Sequence, residues 1–116
     1  MEINVKEVGK VCVINVLAPK IDYTICGNIK SRILSLVEEK NPQGLLLNLD
    51  GVTFIDSMSI GALVSIRKAV LAKGGKFALC SLHPFVNKIL SVVTVNAIFD
   101  VYDSEAQALK AMQRHA

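Results

Sequence analysis

The sequence has no tryptophan, only two tyrosines and only two histidines among its 116 residues. Aromatic side chains make up 5% of the chain, so few are available to stack on nucleobases. The formal charge of +3 is small, and the basic residues are spread along the chain instead of forming a stripe. These features argue against a direct nucleic-acid interface.

Cysteine is also scarce, and its spacing is uninformative. Cys12, Cys26 and Cys80 form an odd set without a C-x-x-C pair, and each lies in or beside an apolar run. We expect buried, reduced thiols in a cytoplasmic protein. His83 and His115 make no recognisable ligand pattern with them, so the sequence predicts neither a metal site nor a cofactor.

No apolar run approaches the roughly 20 residues that a membrane span requires. Lys6 and Lys10 interrupt the opening segment, which does not follow the plan of a signal peptide. Hydrophobic residues nevertheless form 52% of the chain, enough to build a core. The length suits one domain, and we expect a single unit over 1–116.

The pattern of apolar residues predicts strands that alternate with helices. Strands are expected at 2–6, 11–17, 45–49, 77–80 and 97–102. Helices are expected after Asp22, after Asp56, from His83-Pro84, and after the capping box Ser104-x-x-Gln107. The resulting order is β-β-α-β-α-β-α-β-α. It predicts an α/β fold with a mostly parallel mixed sheet of four to five strands, an initial β-hairpin and about four helices.

The segment 54–63, Phe-Ile-Asp-Ser-Met-Ser-Ile-Gly-Ala-Leu, joins a predicted strand to a predicted helix. Asp56 is a good N-cap residue, so Ser57 and Met58 would open the helix. A hydroxyl there is exposed beside unpaired backbone N–H groups, and the helix dipole favours an anion. The segment therefore predicts a phosphorylatable switch at Ser57.

The neighbours of Ser57 have simpler structural interpretations as well. Met58 suits either core filling or an exposed contact, and Ser59 is expected to be a solvent-facing or capping hydroxyl, less often a second phosphate acceptor. Gly61 costs a helix about 1 kcal/mol relative to alanine, which favours close packing over close approach by a partner. Asp22 is expected to cap the first helix and, with Asp56, to lie beyond the carboxyl ends of the strands.

Catalysis by the chain alone is not expected. A serine nucleophile needs a base within hydrogen-bond reach, and the two histidines lie at a helix entry and in the tail. The junction lacks G-x-S-x-G, and the chain contains neither a P-loop nor a dinucleotide fingerprint.

Taken over nearly its whole length, the chain resembles the STAS domain family of sulfate transporters and anti-sigma factor antagonists. The residues that carry the resemblance are Ile21-Asp22, the run 45–49, Val52-x-Phe54-Ile55-Asp56-Ser57 and the run 74–77. The family hallmark is Asp-Ser-[Ser/Thr]-Gly-Leu-Gly. Here Asp56, Ser57 and Gly61 match it, whereas Met58, Ser59 and Ile60 depart from it.

The resemblance points to the small single-domain bacterial antagonists. It implies that Ser57 is phosphorylated by a partner that is both anti-sigma factor and serine kinase, and that a serine phosphatase resets the system. The unmodified form would bind the partner and free the sigma factor. The implied contact residues are Asp22, Asp56, Ser57, Met58, Ser59 and Gly61, in a monomer or weak homodimer.

Two alternatives remain open from the sequence. The chain could be a STAS scaffold or regulatory module in a multiprotein signalling or transporter-associated complex, with Ser57 seldom or never modified. It could instead sense a small ligand through a pocket near Asp22 and Asp56.

Overall fold

A computed structural model describes residues 2–93 and 99–113. Its main sheet contains β1 (Ile3–Val8), β2 (Val11–Val16), β4 (Gly44–Asn48), β6 (Lys76–Cys80) and β7 (Asp100–Tyr102), in the spatial order β1-β2-β4-β6-β7. β1 is antiparallel to β2, and every other pairing in this sheet is parallel. The prediction of a mixed, mostly parallel sheet that starts with a hairpin is confirmed.

Four helices are described: α1 (Cys26–Lys40), α2 (Ser57–Ala72), α3 (Pro84–Val93) and α4 (Glu105–Gln113). The first three pack on one face of the sheet, where Ile33, Ile66 and Val86 are buried against strand residues such as Leu47. Successive side chains of each strand point to opposite faces of the sheet, and this alternation decides which of them enter this core.

The opposite face of the sheet is covered by α4 alone among the described helices. Ala108 and Met112 of α4 pack on Val11, Val13 and Leu46. Helix α4 begins at the predicted cap, where the Gln107 N–H donates to the Ser104 hydroxyl at 3.1 Å. All three cysteines are buried free thiols, as predicted.

A second, two-stranded sheet positions the candidate site. β3 (Lys20–Ile21) pairs in parallel with β5 (Phe54–Ile55). The Thr53 N–H donates to the Pro19 carbonyl at 2.8 Å, and the Asp56 N–H donates to the Ile21 carbonyl at 3.2 Å. The sequence did not predict this ribbon, because two-residue strands carry no readable periodicity. The ribbon holds the loop before α1 against the start of α2.

Several predicted boundaries need correction. The first strand runs to Val8 instead of ending at residue 6, because its cross-strand pairs continue to Val11. The last strand is described at Asp100–Tyr102, and residues 97 and 98 of the prediction lie outside the described part.

Candidate switch site at the start of α2

Asp56 is the N-cap of α2, as predicted. Its backbone is extended (φ −97°, ψ 173°), and one carboxylate oxygen, Oδ1, accepts the Ser59 N–H at 2.8 Å. The other oxygen, Oδ2, accepts the Tyr23 N–H at 2.8 Å across 33 positions of sequence. Asp56 therefore joins two loops that are distant in the chain, in addition to capping its own helix.

The hydrogen bonds to Asp56 also set its charge state. Desolvation by itself raises the pKa of this carboxyl group, but the bonds from the Ser59 hydroxyl and the amides of Ser59 and Tyr23 together outweigh it. The pKa is consequently lowered from its ordinary value of 3.8. Asp56 is an anion at neutral pH, and it adds one negative charge beside Ser57.

Ser59 lies against the helix cap and does not face solvent, so the solvent-facing alternative of the prediction is wrong. It is 1% exposed, so neither a solvent-facing hydroxyl nor a second phosphate acceptor fits the structure. Its Oγ lies 2.6 Å from Asp56 Oδ1 and 2.9 Å from the Ile21 carbonyl oxygen. The hydroxyl is thus buried between two acceptors, where it ties the start of α2 to β3.

Ser57, in contrast, is exposed in the first position of α2. The amides of Ser59 and Ile60 are satisfied by the Asp56 side chain and the Asp56 carbonyl. In the described part of the chain, the amides of Ser57 and Met58 have no protein acceptor. An exposed hydroxyl next to two open N–H donors at a helix N-terminus can carry a phosphate without disturbing the helix.

Asp22 does not cap α1, contrary to the sequence prediction. The N-cap position is Ile25, which makes no side-chain capping bond. Asp22 Oδ1 instead accepts from the Thr24 N–H at 3.0 Å and from the Thr24 hydroxyl. Its carbonyl accepts the N–H groups of Ile25 and Cys26. Asp22 therefore shapes the tight turn that leads into α1, which is the turn whose Tyr23 amide binds Asp56.

Large apolar side chains are exposed on the elements that flank Ser57. Met58 is 63% exposed and Tyr23 is 70% exposed, and the Phe54 ring also reaches solvent. The structure thus decides the question that the sequence left open for Met58, which is an exposed side chain. Three large apolar groups on the elements that flank Ser57 are typical of a protein-binding surface.

Gly61 does not serve close packing, contrary to the preferred interpretation of the sequence. A Cβ atom built at this exposed position would meet no heavy atom within 4 Å. The open space lies one turn beyond Ser57 on α2. Close approach of a partner to the bare backbone at Gly61 stays a prediction.

Sequence reasoning did not single out Tyr23 and Phe54, whose side chains are exposed on the elements that flank Ser57. Tyr23 lies in a loop and Phe54 in a two-residue strand, so neither belongs to an amphipathic pattern that would mark it as exposed. The available signal was indirect: both are large apolar residues that directly flank a predicted switch residue.

Among residues 2–93 and 99–113, no three His, Cys, Asp or Glu side chains come together as a metal site would require. Within the same ranges, no helix combines the length and the apolar character needed to cross a bilayer.

The family model of the STAS domain matches residues 2–108. The chain therefore belongs to the STAS domain family. This membership accounts for the fold described above, in which an initial hairpin precedes a mostly parallel sheet and the hallmark segment opens α2.

Two individual proteins are similar to this chain in sequence. A solved anti-sigma factor antagonist (STAS) domain protein from Planctomyces limnophilus is 30% identical, with a TM-score of 0.87 over 96% of this chain and 97% of that chain. A Thermotoga neapolitana protein, whose name assigns it provisionally to the anti-sigma factor antagonists, is 41% identical over 69 residues. That match spans 60% of this chain and 61% of the relative's length.

A third comparison concerns the fold alone. The Bacillus cell fate determinant SpoIIAA in its phosphorylated form superposes with a TM-score of 0.70 at 16% identity, over 94% of this chain and 97% of that one.

Proposed function

We propose that this protein is an anti-sigma factor antagonist controlled by phosphorylation of Ser57. The observation that carries the proposal is the contrast at the start of α2: Ser57 is exposed beside two open amides, whereas Ser59 is buried and hydrogen-bonded. Ser57 is thus the only hydroxyl of the hallmark segment that a kinase could reach. The names of the Planctomyces and Thermotoga relatives support the same class.

The unmodified protein would bind an anti-sigma factor through the surface around Ser57. Met58, Tyr23 and Phe54 supply apolar area, and exposed Gly61 lets the partner approach the α2 backbone. Asp22 and Asp56 contribute less by touching the partner than by fixing the loop that presents Tyr23. Burial of aromatic anchors in a partner pocket is the usual source of affinity at such surfaces.

Phosphorylation would abolish this binding by electrostatics and bulk. A phosphate adds about 1.5 to 2 negative charges beside the Asp56 carboxylate. The open N–H groups of Ser57 and Met58 can donate hydrogen bonds to the phosphate, so the helix persists while the docking surface becomes anionic. Losing a factor of about 1,000 in affinity needs roughly 4 kcal/mol, which desolvation and repulsion of one phosphate can supply.

In this function the chain acts by binding and catalyses nothing itself. The kinase activity would belong to the anti-sigma partner, and a separate serine phosphatase would restore the unmodified form. Because sigma factors act on transcription, the cytoplasm is the expected location. Buried, unpaired cysteine thiols suit that compartment.

The first test is intact-mass spectrometry with site mapping on protein from its native cells, before and after phosphatase treatment. A phosphatase-sensitive phosphate on Ser57 supports the proposal. A chain that stays unmodified through several growth and stress conditions contradicts it.

The second test measures binding to the anti-sigma factor, which is isolated with the chain from its native cells. Ser57→Asp should lose binding, whereas Ser57→Ala should bind but resist regulation. Ser35→Asp is a matched control, because Ser35 is also an exposed helical serine but lies on α1. Equal binding of all three variants would refute the switch.

A further inference from the structure

Strand β1 lies at one edge of the main sheet. Among residues 2–93 and 99–113, β2 is the only strand that pairs with it, and the pairing is antiparallel. The Leu17 N–H donates to the Glu2 carbonyl at 2.7 Å, which continues the ladder to Glu2, just before β1. The other long side of β1 is therefore open to a further strand.

The bond between Leu17 and Glu2 shows which backbone groups face the open side. In an antiparallel ladder, residues that exchange hydrogen bonds with the neighbouring strand alternate with residues whose N–H and C=O groups point the other way. Glu2 bonds to the residue directly opposite it, so the odd-numbered residues of β1 point outward. The residues with outward backbone groups are Ile3, Val5 and Glu7.

The charged side chains of β1 do not keep another strand away. Charged residues on an edge strand usually deter pairing. Here Lys6 Nζ lies 2.7 Å from Glu105 Oε2, and Glu7 Oε1 lies 3.5 Å from Lys40 Nζ, so each charge is partly neutralised within its own chain. Glu2 forms no ion pair in the described part of the chain, which leaves its carboxylate to a cation on another molecule.

The sequence of this edge is complementary to itself in one register. When Asn4 lies opposite Asn4 of a second, antiparallel copy, Lys6 faces Glu2 of that copy. In the same register Val5 faces Ile3, and these two residues exchange their outward backbone hydrogen bonds. A register with Val5 opposite Val5 gives Lys6 no charged neighbour directly opposite, and one with Lys6 opposite Lys6 is repulsive.

We propose that β1 pairs antiparallel with β1 of a second copy of this chain, with Asn4 on the two-fold axis. The two main sheets then form one continuous sheet, and the two-fold axis repeats the contact between Lys6 and Glu2. A contact along one strand belongs to the small class of interfaces, so the dimer is weak. The dimer uses neither Ser57 nor the apolar groups beside it, so its test is independent of the proposed switch.

The first test is sedimentation velocity of the full chain from about 10 µM to about 1 mM. The weight-average sedimentation coefficient should rise from the monomer value toward the dimer value. Glu2→Lys should weaken the dimer at least about tenfold, because it sets like charges opposite each other. Glu39→Lys is the matched control, since Glu39 is exposed on α1 and forms no ion pair in the described part. A parent chain that stays monomeric, or equal weakening by both variants, overturns the proposal.

Disulfide cross-linking tests the register. Side chains directly opposite each other in a non-hydrogen-bonded pair have Cβ atoms about 4.5–5.5 Å apart, so Asn4→Cys should form an intermolecular disulfide under mild oxidation. Asn28→Cys is the matched control, because Asn28 is also an exposed asparagine but lies on α1. The three native cysteines are buried, which keeps them out of the reaction. Cross-linking of Asn4→Cys at least about tenfold faster than the control supports the proposal, and equal rates refute it.

Discussion

The hydroxyl of Ser59 lies 2.6 Å from Asp56 Oδ1, the same oxygen that accepts the Ser59 N–H at 2.8 Å. One residue thus makes two contacts with one oxygen of its own helix cap, and its hydroxyl also reaches the Ile21 carbonyl of β3. This arrangement leaves the second oxygen of Asp56 available for the Tyr23 amide. The buried serine and the cap together hold the loop that presents Tyr23 beside Ser57.

Ser59→Ala should destabilise the fold by about 1–3 kcal/mol, because it removes the buried hydroxyl that lies within hydrogen-bond distance of the Asp56 carboxylate and the Ile21 carbonyl. Urea denaturation measures the change. Ser57→Ala is the control, and since that side chain is exposed, we expect an effect within about 0.5 kcal/mol. Equal destabilisation by the two changes would contradict the different environments assigned to the two serines.

Asp56→Asn should reduce stability at neutral pH by about 1 kcal/mol. The amide oxygen can still accept from Ser59, but the amide nitrogen cannot accept the Tyr23 N–H. Thermal melts at neutral pH quantify this loss, and Tyr23 amide exchange should quicken in the variant. An unchanged exchange rate at Tyr23 would show that the second oxygen does not hold the loop.

The same carboxylate makes stability depend on pH. The pKa of Asp56 is lowered in the folded chain, so its contribution is fully present above the unfolded value near 3.8 and is lost as pH falls through the folded value. The difference in melting temperature between parent and Asp56→Asn should therefore shrink as pH drops below about 4. A constant difference down to pH 2 would refute the assignment.

Ser57→Asp should leave the isolated fold intact and stabilise it by about 0.3–1 kcal/mol, because a negative charge in the first turn complements the helix dipole. Ser57→Lys should instead lower the free energy of unfolding. Chemical denaturation at low ionic strength measures both. A switch that acted by unfolding α2 would give the opposite result, with Ser57→Asp less stable than Ser57→Lys.

Gly61→Ala should stabilise the chain by about 0.5–1 kcal/mol, since an added Cβ meets nothing and alanine favours the helix. Gly75→Ala is the contrasting change, because its Cβ would lie 3.2 Å from each of the Pro42 and Val70 carbonyl oxygens. Denaturation curves compare the two. If Gly61→Ala stabilises the fold yet weakens partner binding, the bare backbone is a contact surface; unchanged binding would remove Gly61 from that surface.

The sequence by itself determined the order of the helices and of the main-sheet strands, the parallel character of that sheet and the identity of the α2 cap. Short apolar runs and helical periodicity are local patterns, and Asp56 is an N-cap by its chemistry and position alone. The hallmark residues also located Ser57 at the start of α2. These inferences needed no knowledge of which elements touch.

Only the tertiary structure decided the roles of the residues around Ser57. Ser59 is buried because the β3–β5 ribbon brings the Ile21 carbonyl to it from 38 positions away. Tyr23 is joined to Asp56 by a bond that no local pattern encodes, and Gly61 and Met58 are exposed because no other element in the described part of the chain packs there. Burial and long-range hydrogen bonds depend on how elements pack against one another, and a local sequence pattern does not contain that information.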